Sequence, residues 1–283
     1  MGPVADSTEW MKARMQEPTV PPVDLRTDIP HSARIYDYVL GGKDNFQADR
    51  EAAEQMLRGW PSLRPSMQQS RAFMHRVTRY LAAEEGIRQF LDVGTGIPTE
   101  PNLHQVAQDI APESRVVYVD NDPLVLAHAR ALLTSSPEGR TSYLQADMRE
   151  PQAIVDAPQL TATFDLTRPV ALSVIAVLQF VPDDLDPVGI VRRLLEPLPS
   201  GSFLALSMVT TDSNPAIADV VREYNARGIN VQARTRKQVE QFFEGLEPVD
   251  PGVVLVHRWR QDGSATGLDD ADVAMYGGVA RKP

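Results

Sequence analysis

The run Val170-Ala171-Leu172-Ser173-Val174-Ile175-Ala176-Val177 constrains the fold more than any other stretch, because seven of its eight residues are apolar. It is far short of the roughly 20 residues that a membrane-spanning helix needs. Its branched, non-alternating character is that of a central strand buried on both faces. Such a strand needs neighbours and two covering layers, and the chain supplies them. Strand patterns fall at 89–93, 115–120, 141–146, 169–177, 202–209, 248–256 and 272–280, and helical patterns at 99–110, 123–133, 152–157, 184–195, 215–226 and 235–244. This alternation predicts an α/β fold, with right-handed crossovers, a mainly parallel sheet and helices on both faces. No helix separates the last two strands. They are expected to pair antiparallel at one edge, through the polar turn at Asp262-Gly263-Ser264.

Upstream of the sheet the chain reads differently. Residues 1–30 carry Pro3, Pro18, Pro21, Pro22 and Pro30 among polar residues, which predicts a mobile arm with a short helix around 8–15. From residue 31 to 86 three helices are expected. In the first, capped by Ser32, Ile35 and Val39 fall four apart, as do Tyr36 and Leu40, and Gly41-Gly42 ends it. The second spans 48–57, with Asp49 and Glu51 in its first turn. The third spans 66–85, with Phe73, Met74, Val77, Tyr80 and Leu81 at helical spacing and Gly86 as its stop. The sheet domain is then 87–283.

Composition removes several function classes. A formal net charge of −10 gives no broad footprint for bare nucleic acid. The absence of cysteine excludes disulfides, thiolate metal sites and a cysteine nucleophile. The five histidines, His31, His75, His104, His128 and His257, lack metal-ligand spacing and read as structural or surface residues. With neither a signal peptide nor a membrane-spanning run, the expected location is cytoplasmic.

The chemistry is expected at the carboxyl ends of the strands. Leu91-Asp92-Val93-Gly94-Thr95-Gly96 is a strand running into a glycine turn, and Asp92 stands just before that turn. Asp120 ends the next strand, 28 residues on, and Asp147 follows the third after a further 27. A carboxylate at the second strand's end suits the two hydroxyls of a ribose, and one after the third suits an exocyclic adenine amine. Asp92 beside the turn would repel the pyrophosphate of a nicotinamide dinucleotide. The third glycine of that fingerprint is also missing, since Thr99 stands there. An ammonium-bearing, sulfonium-bearing ligand such as S-adenosylmethionine suits Asp92 instead.

With Val119-Asp120-Asn121-Asp122-Pro123 and Gln145-Ala146-Asp147-Met148-Arg149, the glycine turn resembles that of class I S-adenosylmethionine-dependent methyltransferases. The longer run from His31 through Arg34-Ile35-Tyr36-Asp37-Tyr38-Val39-Leu40-Gly41-Gly42-Lys43-Asp44-Asn45 to Phe46 is similar to a signature of an actinobacterial family of such enzymes, whose acceptor is unassigned. The resemblance spans residue 30 to the terminal Tyr276-Gly277-Gly278 segment. It implies a Rossmann-like seven-stranded sheet with a reversed last strand and an N-terminal helical cover over the cofactor. It further implies cofactor contacts at Asp92, Gly94, Thr95, Gly96, Asp120, Asn121, Asp147 and Met148, with Tyr36, Asn45 and Arg71 from the cover and Lys43 as a further polar candidate. Arg71 would meet the methionyl carboxylate, although it lies on a helix with two other arginines, Arg76 and Arg79. Tyr36 and Tyr38, two apart, cannot share a helix face, so at least one is ordinary packing. Members of the family often carry histidine before Phe180, where this chain has Gln179.

The expected reaction is in-line methyl transfer to a small-molecule or protein acceptor. No Asn-Pro-Pro-Tyr-like motif follows the central strand, which with the acidic charge argues against nucleic acid bases as acceptors. Gln179 and Asp183 lie in the region for acceptor contacts, and no general base is identifiable. Two rival readings are a nicotinamide-dependent oxidoreductase, against which the missing glycine and the absence of a Tyr-x-x-x-Lys pair both count, and a non-catalytic S-adenosylmethionine-binding sensor or scaffold.

Overall fold

The computed structural model describes residues 26–132 and 134–283, so the expected arm, apart from residues 26–30, lies outside the described residues. Three helices come first, α1 (Ser32–Val39), α2 (Gln47–Gly59) and α3 (Leu63–Ala83). The alternating part then runs β1 (Gln89–Val93), α4 (Leu103–Ile110), β2 (Arg115–Asp120), α5 (Pro123–Leu132), β3 (Arg140–Gln145), α6 (Pro151–Val155), α7 (Pro158–Thr163) and β4 (Ala171–Ile175). It continues through α8 (Pro187–Leu195), β5 (Phe203–Val209), α9 (Ile217–Ala226), α10 (Arg236–Glu240), β6 (Glu247–Pro248), β7 (Val254–Leu255) and β8 (Met275–Arg281).

The strands form one sheet in the order β3-β2-β1-β4-β5-β8-β6, with β7 also paired to β8. β3 through β5 are parallel, and β8 runs antiparallel to β5, β6 and β7. The parallel sheet and reversed last strand expected from the sequence are both present, but the sheet has eight strands among the described residues rather than seven. The strand expected at 248–256 is two short pieces, because Asp250-Pro251-Gly252 interrupts it. Pro251 has no N–H to donate to a ladder, and Gly252 turns the chain at φ +76°. β8 also starts later than expected, since Asp270–Asp272 forms a 3₁₀ turn.

Alternation along the strands builds two cores. Leu91, Val117, Val119, Leu172, Val174, Leu204 and Leu206 face α6, α7 and α8. Their neighbours Phe90, Val116, Tyr118, Ala171 and Phe203 face α3 and α4, where Phe73 and Tyr80 set their rings edge-on to the buried Trp259. Both faces of β4 are therefore dry, as its composition requires.

Helices α1 and α2 and the start of α3 form a third cluster with α9. The first helix is capped by His31 rather than Ser32, since His31 has the extended backbone of a cap and its ring accepts from the Ala33 N–H. At its far end Gly41, at φ +89°, closes a paired C-cap: Gly41 N–H donates to Tyr38 O and Gly42 N–H to Asp37 O. Gly42 is needed for a second reason, because a Cβ there would lie 1.9 Å from Asp37 Oδ1.

This helical layer is fastened to the sheet by charge. Arg34 Nε stands 3.4 Å from Asp122 Oδ2, with the two side chains only 4% and 2% exposed. The guanidinium lies 5.2 Å from the centre of the Phe46 ring, and the His31 ring packs against the same carboxylate, 3.2 Å away at Nδ1, the atom that accepts from Ala33 N–H. Asp122 Oδ1 meanwhile accepts from Leu124 N–H at 2.9 Å, capping α5 as its position before Pro123 suggests. Removing one partner strands a buried charge. Asp122→Ala is expected to lower the unfolding free energy by about 3–5 kcal/mol in denaturant titrations and to speed amide exchange over 32–39. A loss below about 1 kcal/mol, the range of exposed pairs, would show that the fastening is weak.

Candidate active site

The carboxyl ends of β1 to β4 and the inner faces of α1, α3 and α9 enclose one cavity. It lies at the switch point of the sheet, where β1 has β2 on one side and β4 on the other. Of the residues singled out from sequence, Tyr36, Arg71, Asp92, Gly94, Thr95, Gly96, Asp120, Asn121, Asp147 and Met148 all line it.

The glycine turn is held against β2. Gly94 N–H donates to Val119 O at 2.8 Å, and Thr95 Oγ1 donates to Asp92 O at 3.1 Å. Gly94 sits at φ +77° and Gly96 at φ +69°, a region costly for other residues. A Cβ on Gly94 would also fall 2.5 Å from Val177 Cγ2. Asp120 is tied to this turn directly, its Oδ2 accepting from Gly96 N–H and its Oδ1 from Asp122 N–H, both at 2.9 Å. Burial pushes the Asp120 carboxyl above the usual range. Asp147 is different. Arg149 Nε donates to both its oxygens, at 2.9 and 3.0 Å, and that guanidinium holds it below the usual range.

Asp92 is the most perturbed of the three. Burial pushes its carboxyl up to about 6, with the nearby Arg71 charge opposing the rise and Asp120 adding to it. Arg71 donates through Nη2 to the carbonyls of Thr99 and Pro101, and its buried Nε has no hydrogen-bond partner among the described residues. Tyr36 donates its hydroxyl to Met67 O at 3.1 Å. The cavity rim thus carries a carboxylate raised by burial beside a guanidinium with a donor to spare.

Not every expected contact is there. Asn45 does not line the cavity; its Nδ2 donates to Asp37 Oδ2 at 2.8 Å and to Gly42 O at 3.1 Å, inside the helical layer. Lys43 also stands outside it, and Tyr38 bonds Glu54 on the outer surface. Most polar residues of the 31–46 run are spent on the layer's own geometry. Asp37 Oδ2, for example, accepts from Asp44 N–H at 2.9 Å and from Asn45 Nδ2 at 2.8 Å. Asp183 is engaged by Arg234 at 2.8 Å and lies outside the cavity, whereas Gln179 lines it. His31, read from sequence as structural or surface, is a wall residue as well as an anchor.

The sequence reading missed the wall opposite the glycine turn. Ile217, Val220, Val221 and Tyr224 of α9 line the cavity with Trp60, Met67 and Phe180. Their spacing on α9 is that of one helix face, a signal that reports burial without saying what is buried against it. Among the described residues no cluster of three or more His, Cys, Asp or Glu side chains could hold a metal ion. No helix among them is long and apolar enough to cross a membrane.

The S-adenosyl methyltransferase family profile matches residues 18–283. The chain belongs to that family. Solved structures similar to this methyltransferase include a DUF574 family protein from Streptomyces avermitilis MA-4680, 58% identical over 92% of this chain and 100% of that one, with a TM-score of 0.90. Another is a candidate methyltransferase from Thermobifida fusca YX, 37% identical over 93% of this chain and 99% of that one, with a TM-score of 0.85. The plantazolicin methyltransferase BpumL, solved with SAH, shares the fold alone, at 11% identity over 89% of this chain and 95% of that one, with a TM-score of 0.51. Comparison with curated proteins gave no match. The methyltransferase is accordingly an S-adenosylmethionine-dependent enzyme.

Asp92 yields a test in the ligand-free protein. Its folded value near 6 lies above that of an unfolded carboxylate, about 3.9, so the folded state binds the proton more tightly. Its contribution to stability is full below about pH 4 and is lost as pH rises through 6. Asp92→Asn removes that dependence. The melting temperature of the variant relative to the parent is expected to climb between pH 4 and 6.5 and then level off. A flat difference across that window would contradict the assigned burial.

Proposed function

We propose that this methyltransferase holds S-adenosylmethionine across the ends of β1, β2 and β3, beneath a cover formed by residues 31–86. The observation that carries this reading is the convergence of Asp92, Asp120 and Asp147 from three adjacent strands into one cavity. Asp120 would accept the ribose hydroxyls, and Asp147 with Asn121 would face the adenine amine, beside Met148. Gly94, Thr95 and Gly96 let the ligand lie close to the main chain.

The residues present fit the cofactor's methionyl end. A carboxylate raised by burial, as Asp92 is, gains from a bound ammonium. The unpartnered Nε of Arg71 supplies a donor for a carboxylate. Tyr36, with its ring on the cavity wall, would present a π face to a sulfonium. When bound, S-adenosylmethionine supplies a methyl group that passes to an acceptor lone pair while its sulfur keeps the electrons of the broken bond. The protein's part is to hold acceptor and donor in line and to keep water out. The acceptor is a small molecule or a protein side chain.

Calorimetry tests the placement. S-adenosylmethionine and S-adenosylhomocysteine are expected to bind, and Asp120→Ala to weaken both by about 10- to 100-fold, the size of one or two hydrogen bonds to a charged group. Tight NAD(P) binding with no response to S-adenosylhomocysteine would sink the reading. For the cover, S-adenosylhomocysteine is expected to slow amide exchange over residues 31–46. Unchanged exchange there would mean that these helices do not close on the ligand.

A further inference from the structure

We propose that the methyl acceptor is an uncharged, mostly apolar small molecule, enclosed between α9 and the helical layer, with a hydrogen-bond donor turned toward Gln179 Oε1. This rests on the cofactor placement proposed above, and it is carried by a division of the cavity.

Among the described residues, every charged side chain on the cavity wall belongs to its glycine-turn side: Arg71, Asp92, Asp120 and Asp147, with His31 beside Asp122. The sheet order puts β4 and β5 on the other side of β1. There the wall is Trp60, Met67, Phe180, Ile217, Val220 and Tyr224, without an acidic, basic or histidine side chain among the described residues. A lysine, arginine or carboxylate acceptor brought into this half would lose its hydration and meet no counter-charge. An apolar body is favoured there by burial alone.

The enclosure argues for a small molecule over a protein side chain. Trp60, Leu63, Ile217, Tyr224 and Val231 line the cavity and are also members of the cluster that packs the helical layer onto α9. The wall is therefore continuous with a packed core, and a polypeptide acceptor would have to part it.

Among the described residues, one side-chain carbonyl oxygen buried in this half accepts no hydrogen bond, that of the Gln179 amide. Gln179 is 9% exposed. Its Nε2 donates to Ala176 O at 2.7 Å, while its Oε1 is buried and accepts no hydrogen bond. The amide cannot be turned over profitably, since its oxygen would then face the Ala176 carbonyl. What Gln179 Oε1 lacks is a donor, and an O–H or N–H on the acceptor supplies one. A site built to receive such a donor discriminates against an analogue without it.

Three naphthalenes test this on the full chain saturated with S-adenosylhomocysteine: 2-naphthol, its methyl ether 2-methoxynaphthalene, and the anionic 2-naphthoate. By calorimetry or fluorescence, 2-naphthol is expected to bind at least tenfold more tightly than 2-naphthoate and several-fold more tightly than the ether. Gln179→Leu is expected to weaken 2-naphthol about tenfold, with the ether changed less than twofold and S-adenosylhomocysteine affinity intact. If the variant does not fold, the wild-type series alone decides. Failure of the wild type to bind S-adenosylhomocysteine would overturn the cofactor placement, and this inference with it. Normal S-adenosylhomocysteine binding with 2-naphthoate equal to 2-naphthol would overturn the acceptor inference alone. So would transfer of label from tritiated S-adenosylmethionine to proteins of a Streptomyces lysate with none to its apolar organic extract.

Discussion

Asp122 is where the two halves of the molecule meet, and its carboxylate is almost wholly out of water. A buried carboxylate tolerates few arrangements, because its lone pairs need donors and its charge needs a cation. Here one oxygen accepts from the α5 backbone, while the other accepts no hydrogen bond among the described residues and has its charge answered by the Arg34 guanidinium at 3.4 Å. Its own N–H binds Asp120, and the other Asp120 oxygen takes Gly96 N–H. A single chain of contacts therefore runs from the helical layer through Asp122 and Asp120 into the glycine turn. The layer cannot slide on the sheet without leaving a buried charge alone, so the position of Tyr36 over the cavity is set by an interaction on the other side of α1.

This explains why the run from His31 to Phe46 is so distinctive as a sequence and yet contributes so few cavity residues. Arg34, Asp37 and Asn45 each answer a donor or a charge elsewhere in the layer or on Asp122, and Asp49 just beyond the run takes the His31 N–H. A linear sequence displays the residue and hides the partner. Asn45 could thus be read as a ligand group when it is an internal brace. The strands and the three aspartates were more legible, because burial with a period of two and a position at a strand end are both local properties. The α9 wall was legible as an apolar face and illegible as a binding surface, since either role demands the same spacing. The divided edge strand escaped for a related reason: the apolar pattern around Val253 to Val256 continues across a break that the Asp250-Pro251-Gly252 backbone imposes.

The polar and apolar halves of the cavity follow from strand order. Parallel strands bring their carboxyl ends to one rim, and each contributes the residue that its own βα turn places there. Asp92, Asp120 and Asp147 stand at or just past the carboxyl ends of β1, β2 and β3, whereas the segments after β4 and β5 lead into Phe180 and into α9. Since β1 lies between β2 and β4, the charged and apolar surfaces cannot mix. Any ligand that spans them must itself be polar at one end and apolar at the other, or come as two molecules. A methyl donor and a separate acceptor meet the second condition.

The boundary between the halves is also the most strained backbone in the cavity. Ala176, directly after β4, has φ +56°, a conformation unfavourable for a residue with a Cβ. Its N–H is fixed by Ser207 O and Oγ at 3.0 and 3.1 Å, and its carbonyl is taken by Gln179. The next residue, Val177, lies where a side chain on Gly94 would have to go. The glycine turn and the segment bearing Gln179 are therefore in direct contact at a point where neither has room to adjust. Interiors this close-packed transmit displacement instead of absorbing it. The two halves of the cavity therefore adjoin through Val177, Ala176 and the amide of Gln179, packed together even though their chemistry is separate.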